Sequence, residues 1–499
     1  MSVEDSVQPT VEEAAIMAKK PRTPIPKLQV FILLLIQSAE PITALVIYPF
    51  VIQFVRETGV TGGDDTKIGF YAGLLESCFF MAESLTVFQF GRLSDIYGRR
   101  PVLLLAPLGL TITMLGFGLS KRFWTLFAFR CAQGAFNGNI GALLVVLRCA
   151  YDEGIGVSKT VMNEISDPTN AADIFSLMPL MWSIGSTMSP FLGGVLANPA
   201  TKWPDTFGKI ELLRSHPYFL PCAVAASLAF CAFAFAFVGL KETLPSAVAR
   251  AEKKRNSTPH ERDPLLPPVD SEVPPQPSTP VPIRQLLTRP VLLAILNHAF
   301  LNFSSMAYDS LLPLVYATPI GLGGLGLKPH SIGLLMGLCG LSNAIVQGFY
   351  GGRIIRYFGP RTVFTGCFCA LVAAYAAYPV LSFFAARAGR IDGIVITVLA
   401  LQLSSSFFVY LAYATTIIFI IDAAPDKASI GSVNGLAQMV GTILRAIAPS
   451  FASSLFALSV KNNLAGGYLV YIILVGMAAV AVRVTFLLPR QLRAEGRGR

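Results

Sequence analysis

The sequence predicts an all-α polytopic membrane protein whose twelve transmembrane helices form two pseudo-symmetric six-helix bundles. Three observations predict it. Of 499 residues, 53% are hydrophobic and only 14% are charged, a balance that suits lipid better than water. The apolar residues gather into stretches that, at ~20 residues per ~30 Å of hydrocarbon, can each cross a bilayer as a helix. A glycine- and arginine-containing motif also recurs once on either side of a polar, proline-rich stretch. No alternating strand pattern appears, and helices satisfy every backbone donor and acceptor internally where water is absent.

The elements follow in order. A polar tail occupies 1–28. The first apolar stretch, 29–56, begins too late and runs too long for a signal-peptide core, so it reads as a retained helix. Further spans are expected at 66–90, 101–119, 123–147, 173–197 and 218–240, completing an N-terminal bundle over 29–240. Residues 241–287 carry charges and then Pro264-Leu265-Leu266-Pro267-Pro268 through Pro274-Pro275-Gln276-Pro277. That composition cannot bury a core, so a flexible cytosolic linker is expected. Six more spans, at 289–316, 329–351, 361–385, 393–421, 430–457 and 466–488, make a C-terminal bundle over 288–488, followed by a basic tail at 489–499.

A net charge of +10 raises the question of nucleic acid, but the basic residues sit at helix ends rather than along one face with interleaved aromatics. Membrane topology accounts for them. Lys19, Lys20, Arg22 and Lys27 precede span one, Arg92, Arg99 and Arg100 follow span two, and Lys253, Lys254 and Arg255 follow span six. With Arg490, Arg493, Arg497 and Arg499 at the end, an even number of spans puts all four clusters in the cytosol. Lys121, Arg122, Lys202, Lys209 and Arg214 would then lie outside, partly balanced by Asp205 and Glu211. The eight cysteines lie singly, mostly inside apolar spans, without zinc or disulfide spacing. The few histidines form no ligand cluster, so no metal site and no cofactor are expected. Neither a P-loop nor a nucleophile with partners is present, which argues against an enzyme.

Gly91-Arg92-Leu93 with Gly98 and Arg100 recurs as Gly352-Arg353-Ile354 with Gly359 and Arg361 after span eight. Paired six-helix halves of this kind are expected of transporters that rock about a central site. The segment Gly91-Arg92-Leu93-Ser94-Asp95-Ile96-Tyr97-Gly98-Arg99-Arg100-Pro101 resembles the signature between helices two and three of the major facilitator superfamily. Arg130-Cys131-Ala132-Gln133-Gly134, and Gly185 with Ser189-Pro190 and Gly193-Gly194, resemble its drug:proton antiporter branch. That pattern has glycine where this chain has Ser189, and usually a basic residue where it has Ile96. Ala39-Glu40-Pro41-Ile42-Thr43, Tyr48-Pro49-Phe50, Asn137-Gly138-Asn139-Ile140-Gly141 and Phe175-Ser176-Leu177-Met178-Pro179 are similar to fungal members of the zinc-induced facilitator-like group. The resemblance implies the major facilitator fold, cytosolic termini and solute:proton coupling; a plasma membrane or a vacuolar or endosomal membrane is the expected location. It does not make zinc the substrate. A solute sensor that moves nothing and a proton-independent facilitator are the alternative readings.

Charge inside the spans marks candidate coupling residues, since an arginine or carboxylate at mid-bilayer costs ~2.5–3.5 kcal/mol or more unless it faces a cavity or a partner. The candidates are Glu40, Glu76, Arg130, Asp309 and Arg445, with Glu83 nearer the cytosolic end. Arg130 lies at a level where it can meet Glu40 or Glu76, and Asp309 can pair with Arg445. A carboxylate facing an arginine can exchange that partner for a proton when the arginine withdraws; a permanent pair that fixes helix packing is the other reading. After span two, Gly91 and Gly98 are expected to turn the chain tightly while Asp95, Arg99 and Arg100 complete a conformational latch. A solvated turn carrying topogenic charge is the alternative.

Gln37, Gln133, Asn137, Asn139, Asn343, Gln347 and Gln438 are candidate cavity amides, equally suited to bridging helices. Gly185, Pro190, Gly193 and Gly194 are expected to let helix five bend and approach a neighbour closely. The resemblance has Asn137–Gly141 running directly into a segment like Val157-Ser158-Lys159, so Ala142–Gly156 reads as a fifteen-residue insertion, either genuine or a retained short intron. In the linker, Glu261 with Leu265 and Leu266 resembles an acidic dileucine motif for a sorting adaptor. The expected partners are a small solute, protons and the lipid bilayer, with no nucleic acid.

Overall fold

In the computed structural model, residues 26–137, 171–242, 286–425 and 429–489 are described. Seven helices of seven residues or more precede the linker: α1 (Lys27–Leu45), α2 (Val51–Glu57), α3 (Ile68–Tyr97), α4 (Arg99–Gly118), α5 (Phe123–Asn137), α6 (Ala171–Leu196) and α7 (Phe219–Gly239). Seven follow it: α8 (Arg289–Ala317), α9 (Pro329–Val346), α10 (Gly352–Phe358), α11 (Pro360–Ala388), α12 (Gly393–Ala423), α13 (Ile430–Lys461) and α14 (Leu469–Thr485). Together α1 and α2 make one rod, interrupted over Val46–Phe50 where Pro49 has no N–H to offer and its ring crowds the preceding turn. A π turn at Gln347–Gly351 joins α9 to α10 in the same way. Counting each joined pair as one rod and setting aside the short helices Pro199–Lys202 and Glu211–Ser215, the described residues form twelve helical rods and no strands.

Nine of these helices are long and apolar enough to cross a membrane on their own. The buried faces are apolar and alanine-rich, as along α7, where Cys222, Ala225, Ala226, Ala229, Ala232 and Ala236 point inward while Phe230, Phe235 and Phe237 are exposed. Exposed phenylalanines are costly in water and natural against lipid. The multi-pass membrane architecture therefore rests on surface as well as on sequence.

Spans two and eight run on as helix past their expected ends, to Tyr97 and Phe358. Span two was expected to end at 90, but α3 continues to Tyr97, so Gly91 and Asp95 lie on a helix rather than in a turn. Only Gly98 turns, with φ 113° and ψ 159°. Its counterpart Gly359 sits at φ 78° and ψ 149°, while Gly352 is helical at φ −65°. One left-handed glycine per half is enough to reverse the chain between two helices, and the first glycine of each motif is simply helical. Span four is described only to Asn137; Asn139, the Ala142–Gly156 insertion and the Glu261–Leu266 sorting motif lie outside the described residues, as does nearly all of the linker.

Within the first half, α1 packs on α6 and α7, and α3 on α5; in the second, α8 packs on α12 and α13, and α11 on α12 and α14. The halves meet through α6 against α9 and α3 against α13. Much of this meeting lies toward the end of the molecule where α2 stops and α3 starts, called here the loop side; the opposite end is the linker side. A Cβ on Gly194 would come 2.6 Å from the Gly333 Cα, and one on Gly73 2.8 Å from the Pro449 carbonyl oxygen. Both contacts are with main chain, which cannot swing aside. On the same side Arg56 pairs with Asp65 at 3.0 Å, and the Thr66 hydroxyl and N–H, bonded to Asp64, hold that exposed carboxyl below its ordinary range.

Gly194→Val is expected to wedge α6 from α9 and open the loop side, at an overpacking cost of about 1–3 kcal/mol. In a cysteine-free background, a cysteine placed at the buried Ile332 of α9 should then react with an impermeant maleimide that it otherwise resists. Unchanged labelling would count against a loop-side seal built on this contact.

Candidate functional site

Arg130 is the largest of the fully buried side chains, 1% exposed. Its motif explains how α5 holds it. Gly134, one turn on, lets α5 lie directly on α3, because a Cβ there would collide with the Phe79 carbonyl. Phe79 thereby comes under the guanidinium, whose carbon sits 4.3 Å from the ring centroid. Gln133 accepts a hydrogen bond from Arg130 Nη1 at 2.9 Å and donates to Met114 Sδ at 3.2 Å, which orients the amide toward the arginine. From α1, the Ala44 carbonyl accepts from Nη2 at 2.9 Å and the Thr43 carbonyl from Nη1 at 3.5 Å. The charge is thus held by a ring face, an amide and main chain, a set that suits a planar five-donor fork.

No carboxylate makes an ion pair with Arg130 among the described residues. The expected meeting with Glu40 does not form: α1 offers its carbonyls past Thr43 instead. Glu76 is the carboxylate whose charge reaches Arg130. It lies ~12 Å from the loop-side end of α3 by helical rise, and accepts a hydrogen bond from the Ser310 hydroxyl of α8. This bond joins the two halves. Asp309, beside Ser310, is at the same ~12 Å depth on α8, and the two carboxylates act on one another across the interface.

A second layer lies nearer the linker side. Glu83, 2% exposed, is two turns below Glu76 on α3 and faces the Glu40 carboxylate, Asn137 and Arg445. Arg445 donates from Nη2 to the Thr442 hydroxyl at 3.1 Å and stands 5.9 Å over Phe80. The expected Asp309–Arg445 pair therefore does not form. Tyr413 of α12 is within reach of both charges and bonds Ser305 at 2.6 Å. On α8, His298 and Asn302 close against Gly441, where a Cβ would come 2.9 Å from each side chain.

The remaining amides divide by role. Gln133 serves Arg130, Asn343 accepts from Gln347 at 3.0 Å within its own helix, and Gln438 is half-buried with its main-chain carbonyl bonded to Thr442. Gln37 is half-buried and has a partner. Asn137 alone faces the acidic layer, fully buried. In α6, Gly185 packs on the Pro41 ring and Gly193 on the Val46 carbonyl, while Gly194 and Pro190 meet Gly333. Ser189 ties itself in by bonding the Pro41 carbonyl at 3.0 Å.

At the turn between α3 and α4, the expected latch has a member outside the motif. Glu242, just past α7, accepts from the N–H groups of Arg99 at 2.8 Å and Arg100 at 3.0 Å, capping α4. Arg100 Nη2 reaches the Phe237 carbonyl at 2.7 Å. The second half repeats this, with Arg361 Nη2 on the Phe486 carbonyl at 2.6 Å. Glu242→Ala should cost about 1 kcal/mol and speed hydrogen exchange in the first turn of α4. Unchanged exchange there would mean the cap contributes nothing.

The Major Facilitator Superfamily profile matches residues 33–151 and 154–449. The chain belongs to that superfamily. The major facilitator-type transporter psiT2 of Psilocybe cyanescens is 33% identical over 497 residues, covering 93% of this chain and 90% of its own. The zinc induced facilitator-like 1 protein of Arabidopsis thaliana is 26% identical across 90% of this chain and 88% of its own. Among solved structures, a D-xylose–proton symporter aligns with 94% of this chain and 99% of its own at TM-score 0.66 and 13% identity, a likeness of fold alone.

As a major facilitator, the protein is a multi-pass membrane transporter of small solutes rather than an enzyme. The superfamily signature carries the α3–α4 turn. The charged layers also draw on residues outside any motif: Ser310, His298, Asn302 and Tyr413 escaped the sequence reading, as did Glu242 at the α4 cap. For α8 a signal was present, because His298, Asn302, Ser305 and Asp309 recur at spacings of four, three and four, one face of one helix.

Proposed function

We propose that this major facilitator is a proton-coupled antiporter that exchanges a small solute for protons by alternating access. One observation carries the reading: Glu76 on the first half is bonded to Ser310 and faces Asp309 on the second, with the Arg130 charge behind it. Two carboxylates acting on one another at this seam, Glu76 buried and Asp309 half-buried, are held more cheaply with a proton between them than with two negative charges. Separating the halves breaks the Ser310 bond, admits water to Glu76 and leaves Arg130 as its main counter-charge, which favours release of that proton. Rejoining them favours its uptake.

The linker side is assigned to the cytosol because the basic clusters flank it. The halves are then 29–240 and 288–488, with cytosolic segments at 1–28, 241–287 and 489–499. In this assignment the glycine contacts between α6 and α9 seal the path from the outside or lumen. The plasma membrane or a vacuolar or endosomal membrane is the proposed site, the last favoured by Glu261, Leu265 and Leu266 as an adaptor motif.

The test is the purified protein in proteoliposomes with an internal pH dye, screened against organic acids, amines, drugs and metal chelates under an imposed pH gradient. Solute-dependent proton movement is expected. Solute exchange that proceeds at the same rate and extent with the gradient collapsed would overturn the coupling, and tight binding without flux would make the protein a sensor.

A further inference from the structure

The second charged layer has unmet hydrogen-bonding capacity. Among the described residues, Glu83 Oε2, both Asn137 amide atoms, both His298 ring nitrogens and Arg445 Nε are buried outside hydrogen-bond geometry with any neighbour, although the Asn137 amide lies near enough to Glu83 to act on its carboxyl. Glu83, Asn137 and His298 are 2%, 0% and 2% exposed. A buried polar group left alone is costly, and native proteins rarely leave several together. They come from α3, α5, α8 and α13, that is, from both halves.

The charges are also polarised. Glu83 and Glu40 lie on the first half, and Arg445 with His298 on the second. Glu83 and Arg445 face one another, yet no ion pair within 4.0 Å joins them among the described residues. Gly441 lets His298 and Asn302 of α8 pack directly on the α13 backbone beside this layer.

We infer that this layer binds a small zwitterion, its ammonium at Glu83 and Asn137 and its anionic group at Arg445 and His298. The assignment rests on the transporter reading, whose substrate class it names. The argument is one of counter-charge. Arg445 is the cation whose charge reaches Glu83, so a simple amine taking Glu83 would draw that carboxylate from the arginine and supply no anion in its place. A simple acid taking Arg445 would strand Glu83 next to Glu40. A zwitterion re-pairs both poles at once, and the same molecule then bridges the two halves.

The test uses full-length protein in detergent, with no gradient, titrated calorimetrically with three probes of one skeleton. Phenylalanine carries both charges, phenethylamine only the amine, and 3-phenylpropionate only the acid. Phenylalanine should bind at least about tenfold tighter than either, a difference of ~1.4 kcal/mol. Arg445→Gln should erase its advantage over phenethylamine, and Glu83→Gln its advantage over 3-phenylpropionate. The exchanged pair Glu83→Arg with Arg445→Glu should regain the preference, which separates recognition from misfolding.

Phenethylamine binding as tightly as phenylalanine, a preference untouched by Arg445→Gln, or binding of none of the three would each overturn the assignment. Failure of the transporter reading looks different. Phenylalanine bound with the expected preference but never moved in liposomes overturns transport alone, whereas proton-coupled flux of another solute without phenylalanine binding overturns the zwitterion alone.

Discussion

Glu76→Gln is expected to abolish gradient-driven accumulation while sparing solute exchange. A gradient of one pH unit is worth ~1.4 kcal/mol, about tenfold accumulation per proton, so in liposomes the parent should concentrate its solute toward that ratio and the variant should stop near unity. The reason is local. Glutamine keeps the size of glutamate and still offers an oxygen to the Ser310 hydroxyl, so the contact between α3 and α8 survives. It cannot bind or release a proton. The variant resembles a permanently protonated carrier that moves its halves without coupling them to pH. Counterflow of labelled against unlabelled solute, which needs no gradient, should remain within a few-fold of the parent. Retained accumulation would shift the coupling role to Asp309, whose own amide variant would then be the one that fails.

Arg130→Lys and Arg130→Met should both destabilise the first half and stop transport. Losing the guanidinium leaves the Ala44 carbonyl and Gln133 Oε1 without their donors in a dry site. At ~1–3 kcal/mol for each buried group left unsatisfied, the loss is about 2–6 kcal/mol, visible as a lower melting temperature in detergent. Lysine restores the charge but is a point donor on a flexible stem. It cannot reach the amide and the carbonyl together or lie flat over Phe79 as the fork does. A lysine variant with parental melting and flux would show that charge alone is what α5 supplies.

The two layers were only partly legible. Arg130 and Glu76 stand out in a sequence because charge inside an apolar run is conspicuous, and both are central here. Their partners were not legible in the same way. Glu40 was as good a match for Arg130 as Glu76 by depth, but depth is one coordinate, and the direction in which α1 presents residue 40 is set by its packing on α6 through Pro41, Gly185 and Ser189. Asp309 and Arg445 looked like a pair by elimination. On α8 and α13 no ion pair joins them among the described residues, and the Arg445 charge reaches Glu83 of the other half.

The turn after α3 shows the same division at a smaller scale. Gly98 and Gly359 occupy the left-handed region that their place in the repeat suggested, while Gly91 is helical and Glu242, more than 140 residues away in sequence, caps the next helix. Ser189, a departure from the antiporter pattern, finds its own bond to α1.

By itself the sequence determined the solvent, the number and order of the helical rods, the two-half repeat and which charges are immersed. These follow from properties of each segment alone: apolar length, backbone self-sufficiency in lipid and the conformational range of glycine. Tertiary structure alone decided which charges meet, that Ser310 ties Glu76 across the halves, and that a second polar layer spans Glu83 to Arg445. Those depend on the rotation of each helix about its axis, which is settled by close contacts such as Gly134 on Phe79 between residues far apart in the chain, and no single segment carries that information.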